Sequence, residues 1–154
     1  LLVFGVILFL FRNFKVAIII VLISVLGISG SYILLFLTGT ALNVGSYTGI
    51  IMIVGIISEN AIFTFLQFRE TFVITANVNQ SLIYSISTRL RPKLMTALGA
   101  IIALLPLAIG IGTGSELHQP LAIAVIGGFI FAMPLLLVVL PSLLCFVFKN
   151  EKHL

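Results

Sequence analysis

The chain has 154 residues, 61% of them hydrophobic and only 8% charged, with a formal net charge of +4 and a mean hydropathy of +1.35. Soluble domains run at about half apolar and about a quarter charged, so this composition excludes a water-soluble globule. Nucleic acid is not indicated either, because no basic face with interleaved aromatics is present, and the lone Cys145 excludes an intrachain disulfide and any CxxC metal spacing.

The first segment, Leu1–Phe11, is apolar but would rise only about 16 Å as a helix, against a bilayer core of about 30 Å. Leu1-Leu2-Val3 offers no Met, charged leader or cleavage site, so the segment is expected to be the end of a helix whose beginning is missing rather than a signal peptide. Val16–Leu37, Tyr47–Phe68, Pro92–Ile111 and Pro120–Phe148 are each long enough to span. Glu59 is the one charge inside Tyr47–Phe68, and Pro134 and Pro141 are expected to bend or end the last segment. Continuous apolarity at these lengths favours helix over a membrane strand, which alternates with a period of two. The expected fold is an all-α membrane protein, a single bundle over 1–154 of about five transmembrane helices with the first one truncated.

The connections sort by charge. Arg12–Lys15, Arg69–Arg91 extended to Lys93, and the polar tail Lys149–Leu154 hold every Lys and Arg: 12, 15, 69, 89, 91, 93, 149 and 152. Thr38–Ser46 and Gly112–Gln119 hold none. The positive-inside rule then places the first group, and with it the C-terminus, in the cytoplasm, which agrees with the alternation of five helices. Within the long inner connection, about residues 79–91, Leu82, Ile83, Ile86 and Leu90 share a helical face with Ser81, Ser85 and Ser87 largely elsewhere. This reads as a short amphipathic helix on the cytoplasmic surface, either a plain connector or a gating element. Gly110-Ile-Gly-Thr-Gly114 lacks the Gly-Lys-Ser/Thr end of a phosphate loop and reads as a flexible turn. Gly45/Gly49, Gly110/Gly114 and Gly127-Gly128 permit close helix approach.

Glu59 is the residue with chemical potential. It is thirteenth of 22 in its segment, and an ionised, unpaired carboxyl near mid-membrane costs roughly 2.5–3.5 kcal/mol even on lenient scales. It must face protein or water, find a partner, or hold a proton, which suits it to proton uptake and release; a static buried hydrogen bond is the plainer alternative. Asn60 follows it. Lys93 lies at the inner end of the next helix, with Thr96 a turn deeper on a similar face and Arg89 a turn earlier. These three form a polar stripe toward the depth of Glu59, or else Arg89, Arg91 and Lys93 are snorkelling anchors, the preferred reading for Arg91.

Gly55-Ile-Ile-Ser-Glu-Asn-Ala-Ile62 and Arg89-Leu-Arg-Pro-Lys-Leu-Met-Thr96 resemble the C-terminal half of resistance–nodulation–division (RND) efflux transporters. The resemblance continues through Leu104-Leu-Pro-Leu107, Gly112-Thr-Gly-Ser-Glu116, Gln119-Pro-Leu-Ala122 and Val125-Ile-Gly-Gly128, over nearly the whole chain and in order. In drug-exporting members the position of Glu59 is usually lysine, paired with aspartates of the first half. Heavy-metal efflux members are the nearer resemblance, with glutamate in that helix and lysine at the place of Lys93. The resemblance implies a proton relay of Glu59, Asn60, Arg89, Lys93 and Thr96 and a fragment of a larger twelve-helix transporter, with the aspartate-bearing helix outside this chain. It also implies a multi-pass protein of the bacterial inner membrane, surrounded by lipid, that assembles as a homotrimer with a periplasmic adaptor and an outer-membrane channel. No cofactor or resident metal is expected and the chain is not expected to be an enzyme.

Copper and silver exporters resemble the chain at Gly-Ser-Glu but carry methionine where His118 stands. A single imidazole is a weak metal ligand set, and Met52, Met95 and Met133 are at no ligand spacing. The expected activity is coupling of inward proton movement to export of cations or drugs by periplasmic domains outside this chain. Alternatives are a related membrane protein that assists protein or lipid translocation, and a truncated, inactive remnant.

Overall fold

The computed structural model describes residues 2–148; the polar tail Lys149–Leu154, with two of the basic residues used above, lies outside them. The described chain is an all-α bundle: α1 (Leu2–Phe11), α2 (Phe14–Leu37), α3 (Val44–Thr75), α4 (Val78–Ala108), α5 (Ser115–Pro134), a π-helical turn (Leu135–Val139) and α6 (Leu140–Phe148). Among the described residues four helical spans are long and apolar enough to cross a membrane: α2, α3, α4, and Ser115–Val147 taken through the π turn.

Helix ends follow local chemistry. α3 starts three residues before the expected Tyr47 because Asn43 caps it: its Oδ1 accepts from the Ser46 N–H at 3.1 Å, and the Ser46 hydroxyl reaches back to the Asn43 N–H. At the other end Ala76 takes the left-handed conformation (φ +51°) and donates to the Phe72 carbonyl at 2.8 Å. Asn77 then caps α4 by accepting from the Asn79 N–H at 3.1 Å. With this two-residue reversal, the expected surface connector 79–91 and the span expected from Pro92 form one continuous helix. Pro92 lies inside it, and Ser81, Leu82 and Ser85 are its inward side there, while Ile83 and Leu90 face outward.

α3 and α4, with 32 and 31 residues, are each about 45–50 Å long, half as long again as the bilayer core. Their connecting turn lies at the same end of the bundle as Arg12 and Lys15. At the opposite end Gly110, Gly112 and Gly114 all have positive φ, from +83° to +117°, in the turn from α4 to α5, a backbone that side chains rarely tolerate. Gln119 Nε2 closes that turn by donating to the Ala108 carbonyl at 2.8 Å.

α5 is the axis of the bundle. Ala122–Phe129 are buried without a break, packed between α2, α3 and α4. Lipid tails are as apolar as leucine, so helix association in a bilayer rests on close packing and hydrogen bonds more than on water exclusion. Gly127 lets α5 meet α2: a methyl there would sit 2.7 Å from Leu34 Cβ and 2.8 Å from the Gly30 carbonyl oxygen. Gly128 faces Ile53 of α3 with the same lack of room, and Gly49 rests on Ala124 and the Leu121 carbonyl. Gly45 also faces α5, at the Leu117 carbonyl. Pro134 and Pro141 do not end the last span. Instead the Leu140 N–H reaches the Leu135 carbonyl, five residues back, in the widened π turn, which precedes Pro141 where an α-helical turn would press its ring on a carbonyl.

Candidate functional site

Polar residues recur with helical spacing along one line of each hairpin helix. On α3 they are Asn60, Thr64, Gln67 and Thr71; on α4 they are Ser81, Ser85, Arg89 and Lys93. Spacings of three and four keep each set on one side of its helix. The tight Ala76–Asn77 turn makes the helices antiparallel, so the two lines meet as a polar seam. Nearest the turn, the Thr75 and Ser81 hydroxyls hydrogen bond at 2.7 Å. Further in, Arg89 Nη2 donates to Gln67 Oε1 at 3.4 Å. Deepest, Lys93 Nζ donates to Thr64 Oγ1, and that hydroxyl in turn donates to the Asn60 carbonyl at 2.8 Å.

Lys93 is only 6% exposed. A buried ammonium needs acceptors for its protons, and Thr64 supplies a neutral oxygen rather than a carboxylate. Glu59 lies elsewhere. Five residues before Thr64, it is about 140° around α3 and about 7.5 Å along it. It is exposed, on the wall of a cavity of 340 Å³ lined by Val6 and Ile7 of α1 and by Gly55, Ser58, Ile62 and Phe63 of α3. Among the described residues no ion pair joins Glu59 to Lys93 or Arg89.

Phe63 adjoins both Glu59 and Arg89. It lines the cavity of Glu59, one helical turn on, and the guanidinium carbon of Arg89 sits 5.4 Å from the centre of its ring, within cation–π range. Arg89 Nε is buried with no hydrogen-bond partner. Of the remaining residues of the expected relay, Asn60 joins the seam through its carbonyl and Thr96 stands apart from it. Asn60 is half-buried and donates to the Ile56 carbonyl at 2.9 Å. Thr96 is exposed, its hydroxyl donating to the Pro92 carbonyl at 2.9 Å. Arg91 is exposed, as an anchor would be.

Among the described residues no group of three or more His, Cys, Asp and Glu is placed to hold a metal ion. His118 is exposed in the first turn of α5, Met52 and Met95 face outward, and Cys145 Sγ lies 3.6 Å from Asn79 Oδ1. Sequence reading missed Thr64, Gln67 and Phe63. The recurrence of polar residues at 60, 64, 67 and 71 in an otherwise apolar helix was the signal available for the first two.

Residues 1–148 match the AcrB/AcrD/AcrF family. The chain belongs to that family. Among curated relatives, the nickel-cobalt-cadmium resistance protein NccA of Alcaligenes xylosoxydans xylosoxydans is 35% identical over 129 residues, 84% of this chain and 12% of its own length. The cobalt-zinc-cadmium resistance protein CzcA of Cupriavidus metallidurans is 32% identical over 143 residues, 93% of this chain and 14% of its own. The X-ray crystal structure of a heavy metal efflux pump superposes with a TM-score of 0.81 at 32% identity, over 99% of this chain and 14% of that one. The chain thus spans about an eighth of the length of the curated relatives it matches. The relatives and the superposed structure are described as heavy-metal resistance and efflux proteins, and what they share with this chain is a bundle of helices long and apolar enough to cross a membrane.

Proposed function

We propose that this bundle is the C-terminal membrane part of a proton-driven exporter of heavy-metal cations, and that Glu59 is its proton-carrying group. The observation that carries the reading is the placement of one carboxyl, on a cavity wall near the middle of α3, beside a seam holding two cations that are not paired with it. An acid in that position has two stable conditions: protonated and neutral, or ionised with a nearby cation turned toward it. Passage between the two moves charge inside the bundle and gives a proton gradient something to act on. Lys93 and Arg89 are the answering cations; Asn60 adjoins Lys93 through Thr64, and Thr96, exposed on α4, is the outlying member of the relay. The substrate class is taken from the names of the relatives, nickel, cobalt, zinc and cadmium. Arg12 and Lys15 at the α1–α2 turn, with Arg69, Arg89 and Arg91 on the two helices of the α3–α4 hairpin, favour a cytoplasmic location for that end and for the C-terminus. Family membership favours a homotrimer working with a periplasmic adaptor and an outer-membrane channel. A role in protein or lipid translocation draws no support from these relatives.

The test is Glu59→Gln in the full-length pump, scored by growth on cobalt or cadmium salts with membrane protein quantified in parallel. Loss of resistance at unchanged protein level is expected. Full resistance in that variant contradicts the proposal.

A further inference from the structure

The last membrane-crossing span is built in two pieces that are held in different ways. Its π turn, Leu135–Val139, is the one such turn among the described residues and joins α5 to α6. We infer that this turn is a hinge about which α6 moves relative to α5, and that the movement shifts α6 against the start of α4 during transport. The part played in transport rests on the export reading; the hinge itself does not.

The backbone supplies the first observation. Leu140 donates its N–H to the Leu135 carbonyl, five residues back, and Pro134 and Pro141, which have no N–H to give, bracket the turn. Ser142 Oγ donates to the Val138 carbonyl at 2.6 Å, a back-bond of the kind that bends helices. Proline alone does not produce the π turn, because α4 runs on as α-helix past Pro92 and Pro106. Packing supplies the second observation. On the α5 side, a methyl at Gly127 would lie 2.7 Å from Leu34 Cβ and one at Gly49 2.9 Å from Ala124 Cβ, while Ile53 fills the place beside Gly128. Helices interlocked this closely resist sliding. On the far side of the turn, residues 140–148 contain no glycine. There α6 packs on α2 and α4, and its fully buried leucines, Leu140 and Leu144, are aliphatic. Such contacts have no directional bond to break and allow the small shear movements of packed helices. The third observation says where the movement is felt. Cys145 Sγ of α6 lies 3.6 Å from Oδ1 of Asn79, in the first turn of α4, whose N–H is taken by the capping Asn77. A swing at the π turn therefore displaces α6 at the capped start of α4.

The test uses the full-length pump in proteoliposomes, with Cys145 and Asn79→Cys as its only cysteines and cobalt as the transported ion. A short bismethanethiosulfonate bridges the two thiols, and dithiothreitol releases them. Bridging is expected to lower proton-driven cobalt transport about tenfold, as when a conformational step limits turnover, and release to restore it. The pump with Cys145 alone should be indifferent to the reagent. If α6 is static, tying together two groups already in contact costs nothing, so a bridged pump that transports at the unbridged rate overturns the inference. Failure of the two thiols to bridge also overturns it, since they must meet in one state of the cycle. A backbone variant gives a second reading. Deleting Val138 makes Leu135 the fourth residue before Leu140, so the same bond becomes α-helical and α6 keeps its facing. Pro141→Ala goes with the deletion, because the ring would then press on the Leu136 carbonyl. This variant should fold in the parent's amount and lose transport about tenfold. A folded variant that transports at the parent's rate overturns the inference; if it does not accumulate, the bridged pump decides. A parent that moves no cobalt overturns the export reading instead. The hinge is then read from backbone amide exchange, expected to be about tenfold faster over 139–148 than over 121–132; equal exchange overturns it.

Discussion

Lys93 and Thr64 stand 29 residues apart in the chain and meet across the α3–α4 seam, ammonium to hydroxyl, in the buried part of the hairpin. Glu59 lies less than two turns from Thr64 on the same helix, yet it faces a cavity shared with α1. The acid and the base of the proposed relay thus meet different sides of one helix. Helical phase, not sequence distance, separates them.

A buried charge with a neutral partner is a poor contributor to stability, because the cost of taking it out of water is repaid only in part. Lys93→Met in the full-length pump is accordingly expected to fold at least as well as the parent while losing cation export. Thermal unfolding in detergent and metal resistance in cells check the two halves of this prediction. A variant that is both destabilised and active would contradict it.

The axis formed by α5 gives a separate prediction about packing. Gly128→Val would drive a branched side chain into Ile53 and Ser31, and overpacking of this kind costs about 1–3 kcal/mol. Gly99 has nothing within 4 Å of where a methyl would be placed, so Gly99→Ala is expected to be neutral or to stabilise by up to about 1 kcal/mol through helix propensity. Melting curves of the purified pump should order the variants as Gly99→Ala above parent above Gly128→Val.

Topology is checked by labelling. In a Cys145→Ser background, Thr113→Cys in the α4–α5 turn should react with a membrane-impermeant maleimide added to spheroplasts. Gln80→Cys, exposed at the start of α4, should react only after the membrane is opened. The reverse pattern would invert the orientation assigned from the basic residues.

Much of this bundle was legible in the sequence, and the reasons are physical. Runs of apolar residues set the existence and approximate positions of the spans, because lipid demands a continuous apolar length of helix. The ends were less legible. α3 begins at Val44 because Asn43 and Ser46 cap one another, and α4 absorbs the expected connector because Ala76 accepts a left-handed backbone beside a capping Asn77. The apolar face expected at 79–91 is split: Leu82 is buried beside Ser81 and Ser85, while Ile83 and Leu90 face out. In a membrane the apolar side of a helix has no need to seek the protein interior, so soluble-protein amphipathicity misleads. At the site, Glu59, Arg89 and Lys93 were found by charge in an apolar context. Thr64 and Gln67 were not, since neither type is unusual in a helix and their partners come from a neighbouring helix. Whether Lys93 touches Glu59 depends on rotation about two helix axes, which composition does not encode.

The most direct measurement of the central claim is proton movement in proteoliposomes that contain the full-length pump, with an imposed pH gradient and an enclosed pH-sensitive dye. In the parent, adding cobalt on the side from which it is exported should accelerate dissipation of the gradient. In Glu59→Gln, cobalt should leave the dissipation rate at that of empty vesicles, with the variant present in equal amount and still folded. Cobalt-stimulated proton flux that persists in Glu59→Gln would contradict the account.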